Sequence, residues 1–492
     1  NSCEKTGRKK TSDAAGMGEK WIHETGKGDR WREFALRVAL CFPGSYRAGM
    51  SNLGFLWVYH LMNSREEVRC DRFFIDDRQL NRRKPAASVE NGRPLSDYEM
   101  IAFSFPYEGG YPAAPAMLSA CGVEPDAKRR TRGPLVIAGG MAAGANPEPL
   151  AGMLDAVLPG DAEDVLRDFL DACIETARTT GGTTAAALAG EGFRREMIAM
   201  PGVYVPSAYA HEYAPDGTLI EIEPLDGAPE KVAPRTCTRI PGAAHSPLVS
   251  TRAAFSNMFL VELTRGCPYN CRFCLAGNTS IGVREAPGAE DAVRLGLAAT
   301  KKTGLIGTAF TRSKSVGRIC EAVSAAGGEL SFSSVRLDRG TLELLGRYGS
   351  LLRTESIAVA PEVATPRLRE VIGKDLSMEL EEFAATAPLP SLERLRLYYL
   401  IGVPGETDDD VAQIARQAEE VQRALGREVL ISATPMIPKP FTPMQWMPMA
   451  DEKELRRKRR ILRSETAERG SISLKVESIR GSLEQAVLSR GD

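Results

Sequence analysis

Cys267, Cys271 and Cys274 sit close together in the run Thr264-Arg265-Gly266-Cys267-Pro268-Tyr269-Asn270-Cys271-Arg272-Phe273-Cys274. Three thiolates can hold a four-iron cluster by three corners and leave the fourth iron open to a ligand that reacts. A closed zinc site needs four ligands, commonly as two paired knuckles. No second knuckle exists, because His23, His60, His211, His245 and the remaining cysteines are scattered singly. A disulfide framework would strand one thiol of the three. Iron–sulfur ligation is the fit that remains. The residues between the cysteines suit it: Gly266 permits a sharp turn, Pro268 fixes one φ and Asn270 tolerates a left-handed backbone. Phe273 would put an aromatic face beside the open iron.

Such a loop must be carried by a rigid frame. From about residue 255 to 470, strand-like runs at 258–264, 304–309, 329–334, 355–360, 394–401 and 429–434 alternate with helical stretches. One helix is legible in detail: Thr407 with Asp410 makes a capping box, Val411, Ile414, Ala415, Ala418, Val421 and Leu425 share a face, and Gly426 ends it. Six such units predict a partial (β/α)6 barrel of TIM type over 251–470. Its chemistry would lie at the carboxyl ends of its strands, where the cysteine loop falls.

Residues 35–176 carry a second alternation, with strands expected at 37–42, 100–105, 134–138 and 155–158 and helices near 51–62, 112–121 and 163–174. Continuous apolar strands between helices predict a doubly wound, Rossmann-like parallel sheet. Pro43-Gly44, Pro106 to Gly110 and Gly139-Gly140 fall at its strand ends, as ligand contacts or as tight turns. Residues 177–250 read as a connector with a small β element, 1–34 as a polar lead-in with a solvated basic cluster (Lys5, Arg8, Lys9, Lys10), and 471–492 as the start of an unfinished element. The chain opens on Asn1 and stops at Asp492 without a tapering tail, and is expected to be a piece of a longer protein.

Charge excludes other classes. Lys and Arg number 63 against 64 Asp and Glu, so no overall field recruits nucleic acid or membrane. No apolar run reaches the ~20 residues of a membrane helix, and the expected setting is a reducing cytoplasm.

CxxxCxxC after a strand, with an aromatic before the third cysteine, resembles the radical S-adenosylmethionine (SAM) superfamily. The resemblance implies that Cys267, Cys271 and Cys274 ligate a [4Fe–4S] cluster whose open iron chelates the amino and carboxylate groups of SAM. An electron from a donor such as flavodoxin or ferredoxin would then cleave the C5′–S bond to a 5′-deoxyadenosyl radical. It also implies the SAM contacts. Gly307-Thr308-Ala309 stands where the family has Gly-Gly-Glu, with only the first glycine matching. Ser334 would meet ribose. Arg336 would meet the SAM carboxylate, unless it pairs with Asp338. Glu362, in Ala360-Pro361-Glu362, would meet ribose hydroxyls or the ammonium, and Gly402 would admit the adenine. The proline-dense loop Pro435 to Trp446 would close the substrate side or staple the open edge of the barrel.

The N-terminal block resembles the cobalamin-binding-type domain of one branch of that superfamily, along FPGSYRAGMSNLG (42–54), FSFPYEGGY (103–111) and IAGGMAAGANPEPL (137–150). The whole layout, through residue 492, is similar to an uncharacterised bacterial radical SAM family. The D-x-H-x-x-G cobalt-ligand motif is missing, so cobalamin bound through a lower histidine is not expected, which leaves cobalamin held with that axial site empty or a domain that has lost the cofactor. The rivals are a cobalamin-dependent methyltransferase, a methylthiotransferase for which Cys41, Cys70 and Cys121 are too widely spaced, and an iron–sulfur RNA-binding or assembly protein. The last would use Arg456, Arg457, Lys458, Arg459, Arg460 and Arg463 of the helix expected at 451–468, a stripe whose ordinary reading is a solvated face.

Overall fold

The computed structural model describes residues 18–22, 35–131, 133–179, 184–332, 334–352, 356–387, 392–467 and 469–492; the basic cluster of the lead-in lies outside them. The N-terminal unit is built on five parallel strands in the spatial order Val68–Phe74, Leu36–Phe42, Met100–Ser104, Leu135–Gly139, Ala156–Leu158. Successive residues of a strand face opposite sides. Val38 and Leu40 therefore pack with Phe55 and Phe169 in one core, and Ala39 and Cys41 pack with Phe103 and Met117 in another. Phe55 and Phe169 belong to helices Leu53–Asn63 and Ala162–Thr179, and Met117 to Ala113–Ala120 on the opposite face.

Four of these strands follow the apolar runs of the sequence; Val68–Phe74 does not, because Arg69, Asp71 and Arg72 interrupt it. Its charges are matched from a distance. Arg72, fully buried, bonds Glu90 at 2.6 Å and Glu19 at 2.9 Å, and its guanidinium lies over the Tyr59 and Trp21 rings. Asp71 accepts from Arg69 at 2.8 Å, Tyr98 at 2.6 Å and Asn91 at 2.7 Å. A buried charge persists only when paired in this way. Glu19 comes from the expected lead-in, where Glu19–Trp21 instead forms a strand antiparallel to Leu248–Ser250. The expected connector also begins later than 177: Phe193 of helix Glu191–Ala199 packs edge-on against Phe169, and Tyr204 bridges Val157. The hairpin Tyr209–Tyr213 with Leu219–Pro224 follows.

The C-terminal unit is built on seven parallel strands in two ladders among the described residues. Met258–Glu262, Lys302–Ile306 and Glu329–Phe332 form one ladder; Ser356–Glu362, Arg394–Ile401, Glu428–Pro435 and Ile472–Val476 form another. Parallel bridges Leu330 to Leu352 and Val335 to Val359 span the seam, and one core runs from Val261 through Leu305, Leu330, Val359, Leu397 and Ile431. The second strand ends at Ile306, three residues before the expected limit of 309, so Gly307 and Thr308 are loop.

Within residues 471–492, Ile472–Val476 forms the seventh of these strands, alternating in exposure along the edge of the sheet. The helix Ile479–Arg490 then crosses to the N-terminal unit. Helix Asp408–Leu425 has the capping box from Thr407 and Asp410 and a left-handed Gly426 at its end, as its sequence dictates. In helix Glu452–Ala467 the basic residues do not form one stripe. Lys458 is buried and bonds Glu406 at 2.7 Å, Arg456 pairs with Glu452, and Arg457 pairs with Asp408. Among the described residues no helix is long and apolar enough to cross a membrane.

Candidate functional site

The cysteine loop leaves the first strand of the C-terminal unit through Thr264-Arg265, which pairs antiparallel with Arg284-Glu285. Gly266 then turns with φ 87°, and a side chain there would run into the carbonyl of Gly282. Only glycine meets both demands. Cys271 is buried, while Cys267 and Cys274 are half-buried. Burial pushes the Cys271 thiol up; Lys374 opposes this, and Cys274, Glu362 and Cys267 add to it, so these groups share one electrostatic neighbourhood.

The loop is held from three sides. Asn278 donates to the carbonyls of Cys271 at 2.9 Å and Cys274 at 2.8 Å, and Ser280 accepts from the Cys267 N–H at 3.2 Å. Arg272 donates from its backbone to Ile372 at 2.8 Å and from its side chain to the carbonyls of Glu370 and Val371 at 3.2 Å, capping the helix Pro366–Ile372. Two lost hydrogen bonds put the cost of Asn278→Ala at about 1–3 kcal/mol in urea unfolding.

Among the described residues no three His, Cys, Asp or Glu side chains converge around a single metal ion. A donor set of thiols alone, on a loop clamped at its backbone, fits an iron–sulfur cluster better than one ion at about 2.3 Å from each sulfur.

The other expected contacts divide. Gly307 and Thr308 cross the start of the loop: a Cβ at 307 would stand 2.5 Å from Thr264 Oγ1, and the Thr308 hydroxyl donates to the Gly266 carbonyl. Arg336 lies flat over Tyr269, its guanidinium carbon 3.3 Å from the ring centroid. Its Nε is buried without a partner. Asp338, the alternative partner, instead caps helix Arg339–Tyr348 through the Thr341 N–H at 2.7 Å, and no carboxylate pairs with Arg336 among the described residues. Ser334 is exposed beside it.

Glu362 ends its strand at a bulge with φ 68°, a strained conformation for a residue with a side chain. Its carboxylate takes Lys374 Nζ at 3.0 Å, and the same ammonium donates to the Ala360 carbonyl at 2.6 Å. Burial raises the Glu362 carboxyl despite that cation.

Two expected contacts face elsewhere. Phe273 packs into an apolar layer with Val363, Leu368, Ile372, Val403, Met436 and Met444. Gly402, φ 78°, gives its N–H to Glu406 at 2.7 Å, and a Cβ would stand 2.8 Å from Leu455, so its backbone approaches helix Glu452–Ala467. Glu406 is buried between Gly402 and Lys458. Sequence reading missed Tyr269 and Lys374, and nothing in the chain marks either. Tyr269 lies in the loop as an ordinary aromatic, and Lys374 follows Gly373 as a basic residue past a helix end.

The N-terminal strand ends are filled by the protein itself. Gly140, φ 103°, lies 2.5 Å from the Phe105 carbonyl by its would-be Cβ, and Pro43 packs on Gly110. Glu108 takes Lys439 at 2.7 Å and Gln485 at 2.8 Å, and Asn146 donates to the carbonyls of Leu488 and Gly491. The helix Ile479–Arg490 and the proline-dense loop therefore cover the crevice where the resemblance would seat cobalamin, and the residues present do not fit that cofactor. In that loop Lys439 reaches inward while Trp446 is 87% exposed. Cys41 and Cys70 face opposite sides of the sheet, in different cores, so Cys41, Cys70 and Cys121 are not gathered into a second cluster site.

Residues 54–206 match a family model described as "Radical SAM proteins, N-terminal". Across 465 residues, 92% of this chain and 88% of that protein, the sequence is 25% identical to the uncharacterised protein MJ0966 of Methanocaldococcus jannaschii. Two solved structures are similar at lower identity. Streptococcus suis SuiB bound to S-adenosylmethionine is 14% identical with a TM-score of 0.33, over 46% of this chain and 51% of that one. The FeFe-hydrogenase maturase HydG from Carboxydothermus hydrogenoformans is 12% identical with a TM-score of 0.30, over 48% of this chain and 57% of that one. The chain thus spans little more than half the length of these two structures. Over residues 54–206 the chain is thus similar to the N-terminal part of radical SAM proteins.

Proposed function

We propose that the chain uses Cys267, Cys271 and Cys274 to hold a [4Fe–4S] cluster at the mouth of a partial (β/α) barrel, and that it binds SAM there to act on an unidentified substrate. One observation carries the reading: three thiols on a clamped loop at the end of the first parallel strand, with Arg336 stacked on the loop's Tyr269, its Nη2 on the Asp375 carbonyl at 3.4 Å and no carboxylate partner among the described residues. When bound, the cluster and SAM supply the one-electron cleavage that yields a 5′-deoxyadenosyl radical. The chain supplies position. Asn278, Ser280 and Arg272 fix the thiols; Arg336, stiffened on Tyr269, offers its N–H groups to the SAM carboxylate; Glu362 accepts from ribose hydroxyls or the ammonium; and Gly307, Thr308 and Ser334 line the approach. A flavodoxin or ferredoxin is the proposed electron donor. Cobalamin has no part in this reading, since the N-terminal crevice is filled.

Anaerobic reconstitution with iron and sulfide, followed by dithionite and SAM, tests it. Release of 5′-deoxyadenosine is expected. Its absence from a sample with a verified cluster rules out SAM cleavage by this protein.

A further inference from the structure

Lys374 is a cation placed against the cysteine loop by backbone contacts that need no bound group. The helix Pro366–Ile372 ends in a left-handed Gly373, φ 64°, whose would-be Cβ stands 3.1 Å from Arg272 Cγ and 3.5 Å from the Asn270 carbonyl. The Ile372 carbonyl accepts the Arg272 N–H at 2.8 Å. Residues 372 and 373, which carry Lys374, therefore lie against both neighbours of Cys271, one of them hydrogen-bonded. The side chain of Lys374 is 11% exposed, and its ammonium is fixed by Ala360 and Glu362, so the charge is held in one place with little solvent to screen it.

We propose that Lys374 is a positioning residue that sets the reduction potential of the cluster assigned above to Cys267, Cys271 and Cys274, its charge favouring the form that has gained an electron. The inference rests on that assignment. Adding an electron makes the cluster more negative, and a fixed cation beside it stabilises the added charge. Net charge and burial are among the protein's levers on such potentials. The carboxylate facing Lys374 is Glu362, which the pair neutralises. Removing the ammonium therefore takes away the cation held beside the loop.

The test is the cluster's midpoint potential, read by electron paramagnetic resonance during a redox titration of the reconstituted full chain without SAM. Lys374→Gln keeps a donor for Ala360 and Glu362 but loses the charge. It is expected to be at least about tenfold harder to reduce, a downward shift of about 59 mV for one electron. Lys374→Arg keeps the charge and should stay near the wild-type midpoint. A wild-type midpoint in a cluster-loaded Gln variant overturns the proposal. Should that variant take up no cluster, the Lys374→Met, Glu362→Gln double variant, which removes both charges of the pair, is titrated instead; if it too holds no cluster, Lys374 is structural and the proposal falls. A wild-type protein that takes up no cluster overturns the assignment of the cysteines instead.

Discussion

Replacing Cys271 by alanine should reduce release of 5′-deoxyadenosine by the reconstituted, dithionite-reduced protein to the level seen without enzyme. Cys271 is the most enclosed of the three thiols, at 8% exposed, and its carbonyl is one of two anchored by Asn278. With one corner missing, the two remaining thiols cannot hold three irons and present the fourth. Ligands that act as a unit fail together, so Cys267→Ala and Cys274→Ala should match Cys271→Ala, and the triple variant should be no worse than any single one. Cys320 provides the contrast. It lies fully buried in helix Val316–Ala325, among Ile319 and Val323, with its thiol pushed up to about 12 by burial, the profile of an inert packing cysteine. Cys320→Ala should keep SAM cleavage. Iron content, the cluster's visible absorbance and product release check each variant. Equal loss in Cys320→Ala, or retained cleavage in Cys271→Ala, would mean that the ligand set is wrong.

What could be read ahead of the structure was whatever is local. The cysteine spacing, the capping box of Asp408–Leu425 and the apolar runs behind most parallel strands need only neighbours in sequence to make sense. The strand Val68–Phe74 was illegible because Arg72 is tolerable there only with Glu19 and Glu90 in place, and neither is near it in the chain. Gly402 was assigned to a ligand because a glycine at a strand end looks the same whether it admits a base or Leu455. Phe273 looked like a partner for the cluster because it precedes Cys274, yet the loop turns its ring into the layer around Met436 and Met444. Ile472–Val476 was not legible as a seventh strand because its partner strand, Glu428–Pro435, is separated from it by the whole of helix Glu452–Ala467. Lys374 and Tyr269 carry no motif; their meaning comes from Glu362, which ends a strand, and Arg336, which follows another.

The second large effect belongs to Arg265, two residues before Cys267. Its guanidinium bonds Asp161 at 2.9 Å, Glu163 at 2.7 Å and Glu262 at 2.7 Å, and Arg284 joins the same Asp161 at 2.5 Å. Asp161 and Glu163 stand at the start of helix Ala162–Thr179 in the N-terminal unit, and Glu163 also takes the indole N–H of Trp57 at 2.9 Å. One side chain thus ties the root of the cysteine loop to the other half of the molecule, with Glu163 only 4% exposed. Arg265→Met leaves Glu163 and Glu262 desolvated without their cation and Asp161 with Arg284 alone, and breaking a buried pair from one side costs about 3–5 kcal/mol. The pH dependence identifies the cause. Burial alone would push the Asp161 and Glu163 carboxyls up, but hydrogen bonds and charge from Arg265, with Arg284 on Asp161, hold both below their usual range. A depressed carboxyl contributes stability above its unfolded pKa of about 4 and loses it as pH falls through the folded value. The wild type should therefore weaken on acidification from pH 5 to 3 by more than Arg265→Met, whose carboxylates can protonate at little cost. The gap between the two urea midpoints, wide at pH 7, should narrow on the acid side. A gap that stays constant with pH would trace the loss to packing of the arginine stem instead of its charge. Because the same residue begins the turn into Cys267, cluster retention at pH 7 should fall together with the domain contact, which makes Arg265 the joint through which the N-terminal unit holds the cysteine loop in place.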